Sequence, residues 1–315
     1  MKLRFLRSFT STDLATSIFL TLLSLTSIVF SARVLQWPVL VLANSTLTVL
    51  IVYSSRAVGK SSPRWLRFAR DWYPVPMILY VFKLTYMMVH PIHPHDFDSI
   101  LIGADRWIFG TDPTRCLSGY AHPFVTEILQ ICYACYYIIL ISVFFELDLE
   151  KRHTEYFLGA FLVVYGFYLS YVGYFLLPAV GPRFTLHDFH SLNTDLPGLW
   201  LTNGIREFVN SGESIPSGVS QAIDYAQRDA FPSGHTQLTL VILFIAFTNR
   251  LRSRWGLLVV GILLIISTVY LRYHYVVDVL AGVVFFFFTI WTGLRIDAWW
   301  RKVKRGWKEA ETSTL

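Results

Sequence analysis

Two short stretches carry the residue types that chemistry at phosphorus requires. Ala230-Phe231-Pro232-Ser233-Gly234-His235-Thr236 lies where a long polar loop gives way to an apolar run over 238–247. A Pro-Ser-Gly turn entering a helix leaves backbone N–H groups without intrahelical partners. With the helix dipole behind them those donors form an anion site, and His235 falls in the first turn. An imidazole there can deliver a proton to an oxygen leaving phosphorus. Small turn residues before a helix are common, so the weight comes from a second stretch, Arg272-Tyr273-His274-Tyr275-Val276-Val277-Asp278. His274 and Asp278 are four apart where the last helix begins and share one face. A carboxylate there can accept from one imidazole nitrogen, fix the tautomer and leave the other nitrogen free to attack. Either histidine alone reads as a helix cap or a headgroup contact. Both on one rim, with the aspartate in step and an arginine nearby, read as a phosphoryl-transfer site.

The elements holding these residues are membrane helices. The 315-residue chain is 54% hydrophobic, 17% aromatic and 15% charged, with mean hydropathy +0.48. A soluble domain carries about 25% charged residues, so the chain lacks the polar surface of a water-soluble globule. Its net charge of +6 is strung between hydrophobic runs and serves as a topology signal, not as a nucleic-acid surface. Three cysteines make no disulfide framework; Cys132 and Cys135 sit in an apolar run, and Cys116 is alone in a loop.

Apolar runs predict an all-α, polytopic protein of about eight transmembrane helices, over 14–35, 38–54, 73–89, 124–145, 156–177, 235–248, 256–271 and 276–294. The first is too long for a signal peptide and reads as an uncleaved anchor. A partly apolar stretch at 98–109 suits a helix in the membrane interface, and short helices are expected around 200–209 and 219–227. Basic residues cluster at the N-terminus (Lys2, Arg4, Arg7), after the second run (Arg56, Lys60, Arg64, Arg67, Arg70), around Arg250, and in the tail (Arg301 to Lys308). With eight spans these share the cytoplasmic side. Residues 90–123, 178–232 and the turn at 272–275 then face outward together, which puts both histidine motifs on one membrane face. Three parts follow: an N-terminal helical hairpin with its basic loop (1–72), a catalytic membrane domain (73–298) and a basic tail (299–315).

Phe231-Pro-Ser-Gly-His-Thr236 and Ser267-Thr-Val-Tyr-Leu-Arg-Tyr-His-Tyr-Val-Val-Asp-Val-Leu-Ala-Gly282 resemble the second and third motifs of the PAP2 (type 2 phosphatidic acid phosphatase) superfamily. Leu177-Pro-Ala-Val-Gly-Pro-Arg-Phe184 resembles the first-motif region of its inositol-phosphorylceramide-synthase-like branch. The resemblance implies a six-helix core with an outward-facing active site. It implies His274 as a nucleophile forming a phosphohistidine, Asp278 as its orienting group and His235 as the acid. Ser233, Gly234 and Arg183 would hold phosphate oxygens, with no cofactor and no metal. Two cations of the usual cradle are displaced: Thr268 and Leu176 stand where an arginine and a lysine are usual, while an arginine appears at Arg272. Arg272 is therefore a candidate phosphate ligand, and Lys83, an ionisable group within a span, a possible one. Against Lys83, helical side chains lean toward the helix N-terminus, here the cytoplasmic side.

His90, His93, His95, Asp96 and Asp98 lie among prolines without regular ligand spacing and read as a solvated loop, not a metal site. His187, Asp188 and His190 read as polar loop near the cleft mouth. The expected activity is hydrolysis of a lipid phosphate. Transfer of a phosphoryl headgroup between lipids is a close second, and a non-catalytic lipid transporter or scaffold a remote third. A transporter would place paired charges or broken helices at the bilayer midplane, where only Lys83 lies deep.

Overall fold

The computed structural model describes residues 4–59 and 61–312. Lys2 and Lys60, counted above among the basic flanks, lie outside the described residues, as do 313–315 of the tail. Among the described residues the chain forms helices and no strand. In order they are α1 (Ser11–Val29), α2 (Trp37–Ala57), α3 (Arg64–Trp72), α4 (Pro74–Ile92), α5 (Asp98–Phe109), α6 (Pro113–Ser118), α7 (Pro123–Ala134) and α8 (Tyr136–Leu149). There follow α9 (His153–Leu176), α10 (Pro182–Thr185), α11 (Leu192–Asp195), α12 (Thr202–Gly212), α13 (Gly234–Thr248), α14 (Arg254–Tyr270) and α15 (Val276–Thr312). Proline occupies the first turn of α2, α4, α6, α7 and α10, where its missing N–H costs nothing.

Among the described residues five stretches are long and apolar enough to cross a membrane: α1, α2, α3 joined to α4, α9, and α15 as far as Trp307. The pair α7 and α8, bent by 47° at Cys135, makes a sixth. This is a multi-pass helical membrane protein. The expectation of eight spans also counts α13 and α14, of 15 and 17 residues. At 1.5 Å per residue they measure about 22 and 26 Å, short of the ~30 Å hydrocarbon core.

α9 is the central post, flanked by α1, α4, α8, α13 and α15. Gly159, Gly166 and Gly173 repeat every seven residues along it and form a seam of small residues. A Cβ at Gly166 would stand 3.1 Å from Leu238, and one at Gly173 only 2.2 Å from Pro232, so α13 and its approach loop press directly on α9. Gln237 fixes the register by donating to the Gly166 carbonyl (3.0 Å) and to Thr289 Oγ1 of α15 (2.9 Å).

One end of the bundle gathers the basic flanks. Arg70 pairs with Asp13, and the Phe9 carbonyl accepts from Trp300 Nε1 (3.2 Å) and Lys304 Nζ (2.7 Å). α15 runs through residue 298 without a break and carries the tail with it. The opposite end is capped by α5, α6 and α10 to α12. Here the expectation of a solvated loop at 90–98 needs correction. Asp98 is buried at the first turn of α5, and Asp96 pairs with the buried Arg228 at 3.0 Å.

Candidate active site

α13 starts where Ser233 caps it. The Ser233 hydroxyl accepts from the Thr236 N–H at 3.3 Å, and the Ser233 carbonyl accepts from the Gln237 N–H at 3.0 Å. The Ser233 N–H itself donates to the Asp278 carbonyl at 3.0 Å, tying the start of α13 to the first turn of α15. Gly282 permits that crossing, because a Cβ there would lie 2.7 Å from the Ser233 carbonyl oxygen. The N–H groups of Gly234 and His235 have no protein acceptor among the described residues, and so remain available to an anion. The Ser233 side chain is different from what the family resemblance implied. It is fully buried and engaged as a cap, also accepting from Thr236 Oγ1 at 3.1 Å.

The turn carrying His274 is held from two sides. The Thr268 carbonyl accepts from both the Tyr273 and His274 N–H groups at 2.9 Å, with Arg272 in the left-handed region at φ 67°. Asp105 of α5 accepts from Val276 (3.0 Å) and Val277 (2.8 Å), capping α15. Seven residues earlier on α5, Asp98 accepts from the Val180 and Gly181 N–H groups (3.0 and 2.9 Å) and from the Tyr275 hydroxyl (2.8 Å). One short helix thus holds both the histidine turn and the turn that presents Arg183.

The two imidazoles meet at the centre: His274 Nε2 lies 3.4 Å from His235 Nδ1. His235 is clamped between the rings of Tyr133 (4.7 Å) and Tyr136 (4.4 Å). His274 Nδ1 donates to the Ala230 carbonyl at 2.8 Å, which puts the proton on Nδ1 and the lone pair on Nε2. Asp278, expected from its spacing to be that acceptor, stands with Oδ2 3.6 Å from Nδ1, outside hydrogen-bonding range. Asp278 Oδ2 instead accepts from the Tyr275 N–H at 2.9 Å, and its Oδ1 is buried without a partner among the described residues. Burial pushes the His274 imidazole down to about 4, with the Asp229 carboxylate pulling the other way.

Arg183 is buried with its guanidinium against the rings of Tyr273 (4.6 Å) and Phe184 (4.7 Å). It forms an ion pair with Glu213 and donates to Asn210 Oδ1 at 3.3 Å. Arg272 does not share this site. Its guanidinium donates to Asp195 Oδ2 (2.8 Å) and Ser118 Oγ (3.0 Å), tying the cap to the histidine turn. Lys83 donates to the Gly212 carbonyl (2.6 Å) and Ser214 Oγ (2.8 Å), on either side of Glu213. Thr268 is buried and Leu176 is exposed. His187 bonds to Thr114 Oγ1 at 3.0 Å and His190 to the Ser220 carbonyl at 3.1 Å, both within the cap.

Two residues at the site escaped the sequence reading. Asp229 directly precedes the Ala230–Thr236 motif, and burial and the neighbouring Glu213 carboxylate raise its pKa. Glu213 directly follows α12, and nothing in its local sequence marks it as the partner of an arginine 30 residues earlier.

At one helix end a buried His274 and a half-buried His235 thus meet beside open N–H donors and a buried arginine, within a helical membrane bundle. A family model of the PAP2 superfamily matches residues 99–292, spanning α5 to the apolar part of α15 and including both histidines and Arg183. The chain belongs to the PAP2 superfamily. Comparison with curated proteins and with solved structures gives no match. Membership points to phosphatase or phosphotransferase activity on lipid-like phosphates.

Proposed function

We propose that the protein is an integral membrane lipid phosphatase working through a phosphohistidine on His274. One observation carries this reading. An apolar slot of about 530 Å³ opens between α4, α8 and α9, with His235 at one end and Trp72 and Tyr156 at the other. Its walls include Phe82, Phe144, Val163 and Phe167, while Lys83, Glu213 and Asp229 stand at the His235 end. An apolar chamber leading to a few converging polar groups suits an amphiphile with its phosphate at the histidines.

In this mechanism the His274 Nε2 lone pair forms an N–P bond as the P–O bond to the lipid alkoxide breaks. His235 gives the departing oxygen its proton. Arg183 and the N–H groups of Gly234 and His235 carry the charge that spreads over the remaining oxygens. Water then attacks phosphorus, the N–P bond breaks, and His235 takes the proton that water loses. The Ala230 carbonyl keeps the reactive tautomer, and Asp278 supports the turn from which His274 projects.

A second reading, headgroup transfer to another lipid, is favoured by the partners of Arg272. With that guanidinium committed to Asp195 and Ser118, the cations left near the slot are Lys83, which lines it, and Arg183, paired with the slot residue Glu213. A phosphodiester, with one negative charge, needs fewer cations than a monoester. The placement across the membrane completes the proposal: α13 and α14 also cross, giving eight spans. Both termini are cytoplasmic, and the catalytic domain (73–298) opens on the other face.

The test is a panel of ³²P-labelled lipid monoesters and diesters presented to the reconstituted enzyme, with acid-labile, base-stable label sought on histidine. His274→Ala is expected to lose label and more than ~10³-fold in turnover. Full turnover in that variant would sink the mechanism. Label that leaves only when a second lipid is supplied would establish the transferase.

A further inference from the structure

The arginine proposed to hold phosphate is not vacant. Arg183 is already paired with a carboxylate, Glu213, and its second terminal nitrogen is held by Asn210 of the same helix end. A carboxylate and a phosphate offer a guanidinium the same kind of paired oxygen acceptors. Two anions crowded onto one buried cation repel each other.

Glu213 is also mounted so that it can act as a unit with its turn. It follows the last residue of α12, and Ser214 beside it adopts φ 70°. The turn is closed by the Ile215 N–H to the Asn210 carbonyl at 2.9 Å. From across the slot Lys83 clasps it at Gly212 and Ser214. Glu213 lines the same slot as His235.

We infer that Glu213 is a resident anion that occupies Arg183 in the empty site and must be exchanged for the substrate phosphate, which makes it a specificity determinant. The inference rests on the reading of Arg183 as the phosphate ligand. Exchange of one anion for another on the same cation gains little by itself. A lipid supplies the difference by burying its chain in the slot, since binding remote from the reacting atoms can drive an unfavourable local change. Inorganic phosphate and short aryl phosphates have no chain and must displace Glu213 unaided. The pair thus screens out soluble phosphates and limits inhibition by released phosphate.

The experiment measures inhibition by inorganic phosphate and KM for p-nitrophenyl phosphate and for a long-chain lipid phosphate. It uses the full-length reconstituted protein as wild type, Glu213→Gln, Arg183→Ala and the double variant. Glu213→Gln keeps size and one oxygen. It is expected to lower the phosphate inhibition constant and the aryl-phosphate KM at least tenfold, with a much smaller change in KM for the lipid. Both gains should vanish in the double variant. Unchanged or weaker phosphate binding in folded Glu213→Gln, while Arg183→Ala weakens it, would overturn the exchange and leave the Arg183 reading standing. Phosphate inhibition untouched by Arg183→Ala would instead overturn that reading, and the inference with it. Should Glu213→Gln fail to fold, Glu213→Asp, one methylene too short to keep the pairing, is judged by the same criterion.

Discussion

At His274, burial decides the protonation state. The imidazole is disfavoured as a cation, so its pKa falls to about 4 from the ordinary 6.5. The neutral, nucleophilic form therefore persists as pH drops through the range in which a solvated histidine would charge. Phosphohistidine formation, followed by rapid quench, is expected to hold nearly constant from pH 7 to about 5, with its acid limb near 4. Asp229→Asn removes the opposing carboxylate and should move that limb lower still; an acid limb near 6.5 in both proteins would contradict the buried geometry. Linkage runs the same way. Between about 6.5 and 4 the unfolded chain takes up a proton that native His274 refuses, so this residue lowers stability as pH falls. The four-residue spacing of His274 and Asp278 was legible because helical periodicity dictates a shared face. The actual acceptor, a main-chain carbonyl 44 residues away, was not, since carbonyls leave no mark in side-chain sequence. Arg272 illustrates the converse: its residue type announced a phosphate ligand, but its direction depends on a left-handed turn and on a cap whose folding no local pattern encodes.

Helices were easier to read than their contacts. Apolar runs located α5 to the residue at 98–109, and the Pro-Ser-Gly turn located the start of α13. The burial of Asp98 and Asp105 was hidden, because a carboxylate serving backbone N–H groups looks the same in sequence as one facing water. At this level the crossing of α13 and α15 is the sensitive point. Gly282→Ala places a methyl 2.7 Å from the Ser233 carbonyl and 2.9 Å from the Thr236 Cβ, on two rigid helices. Such overpacking costs about 1–3 kcal/mol. Thermal unfolding in detergent should record that loss, and turnover should fall as the histidines are pushed apart. Asp105→Ala removes the acceptor from two α15 N–H groups and is expected to cost about 0.5–2 kcal/mol in the same assay. Wild-type stability and activity in Gly282→Ala would mean that the two helix starts are not so closely opposed.

Taken whole, the molecule has a basic end tied together by Asp13, Phe9 and the far half of α15, and an opposite end covered by the cap. The exposed Cys116 belongs to that cap and is a native reporter of sidedness. A membrane-impermeant maleimide should label it in intact cells, whereas Lys302→Cys in a Cys116→Ser background should react only after permeabilisation. The reverse pattern would invert the proposed orientation. Charge distribution made the two ends legible; the number of crossings was less so, because α13 and α14 are apolar enough but short. That shortness has a consequence for the lipid environment. In the proposed eight-span arrangement, a helix of about 22 Å set in a hydrocarbon layer of ~30 Å would leave its histidine-bearing start on the order of 8 Å below the headgroup plane. The bilayer must dimple there, or the headgroup must sink. On that proposal membrane thickness would act on catalysis as a mechanical load. Vesicles of short-chain phosphatidylcholine should let phosphate reach the histidines with little deformation, and progressively longer acyl chains should slow the enzyme with every protein contact unchanged.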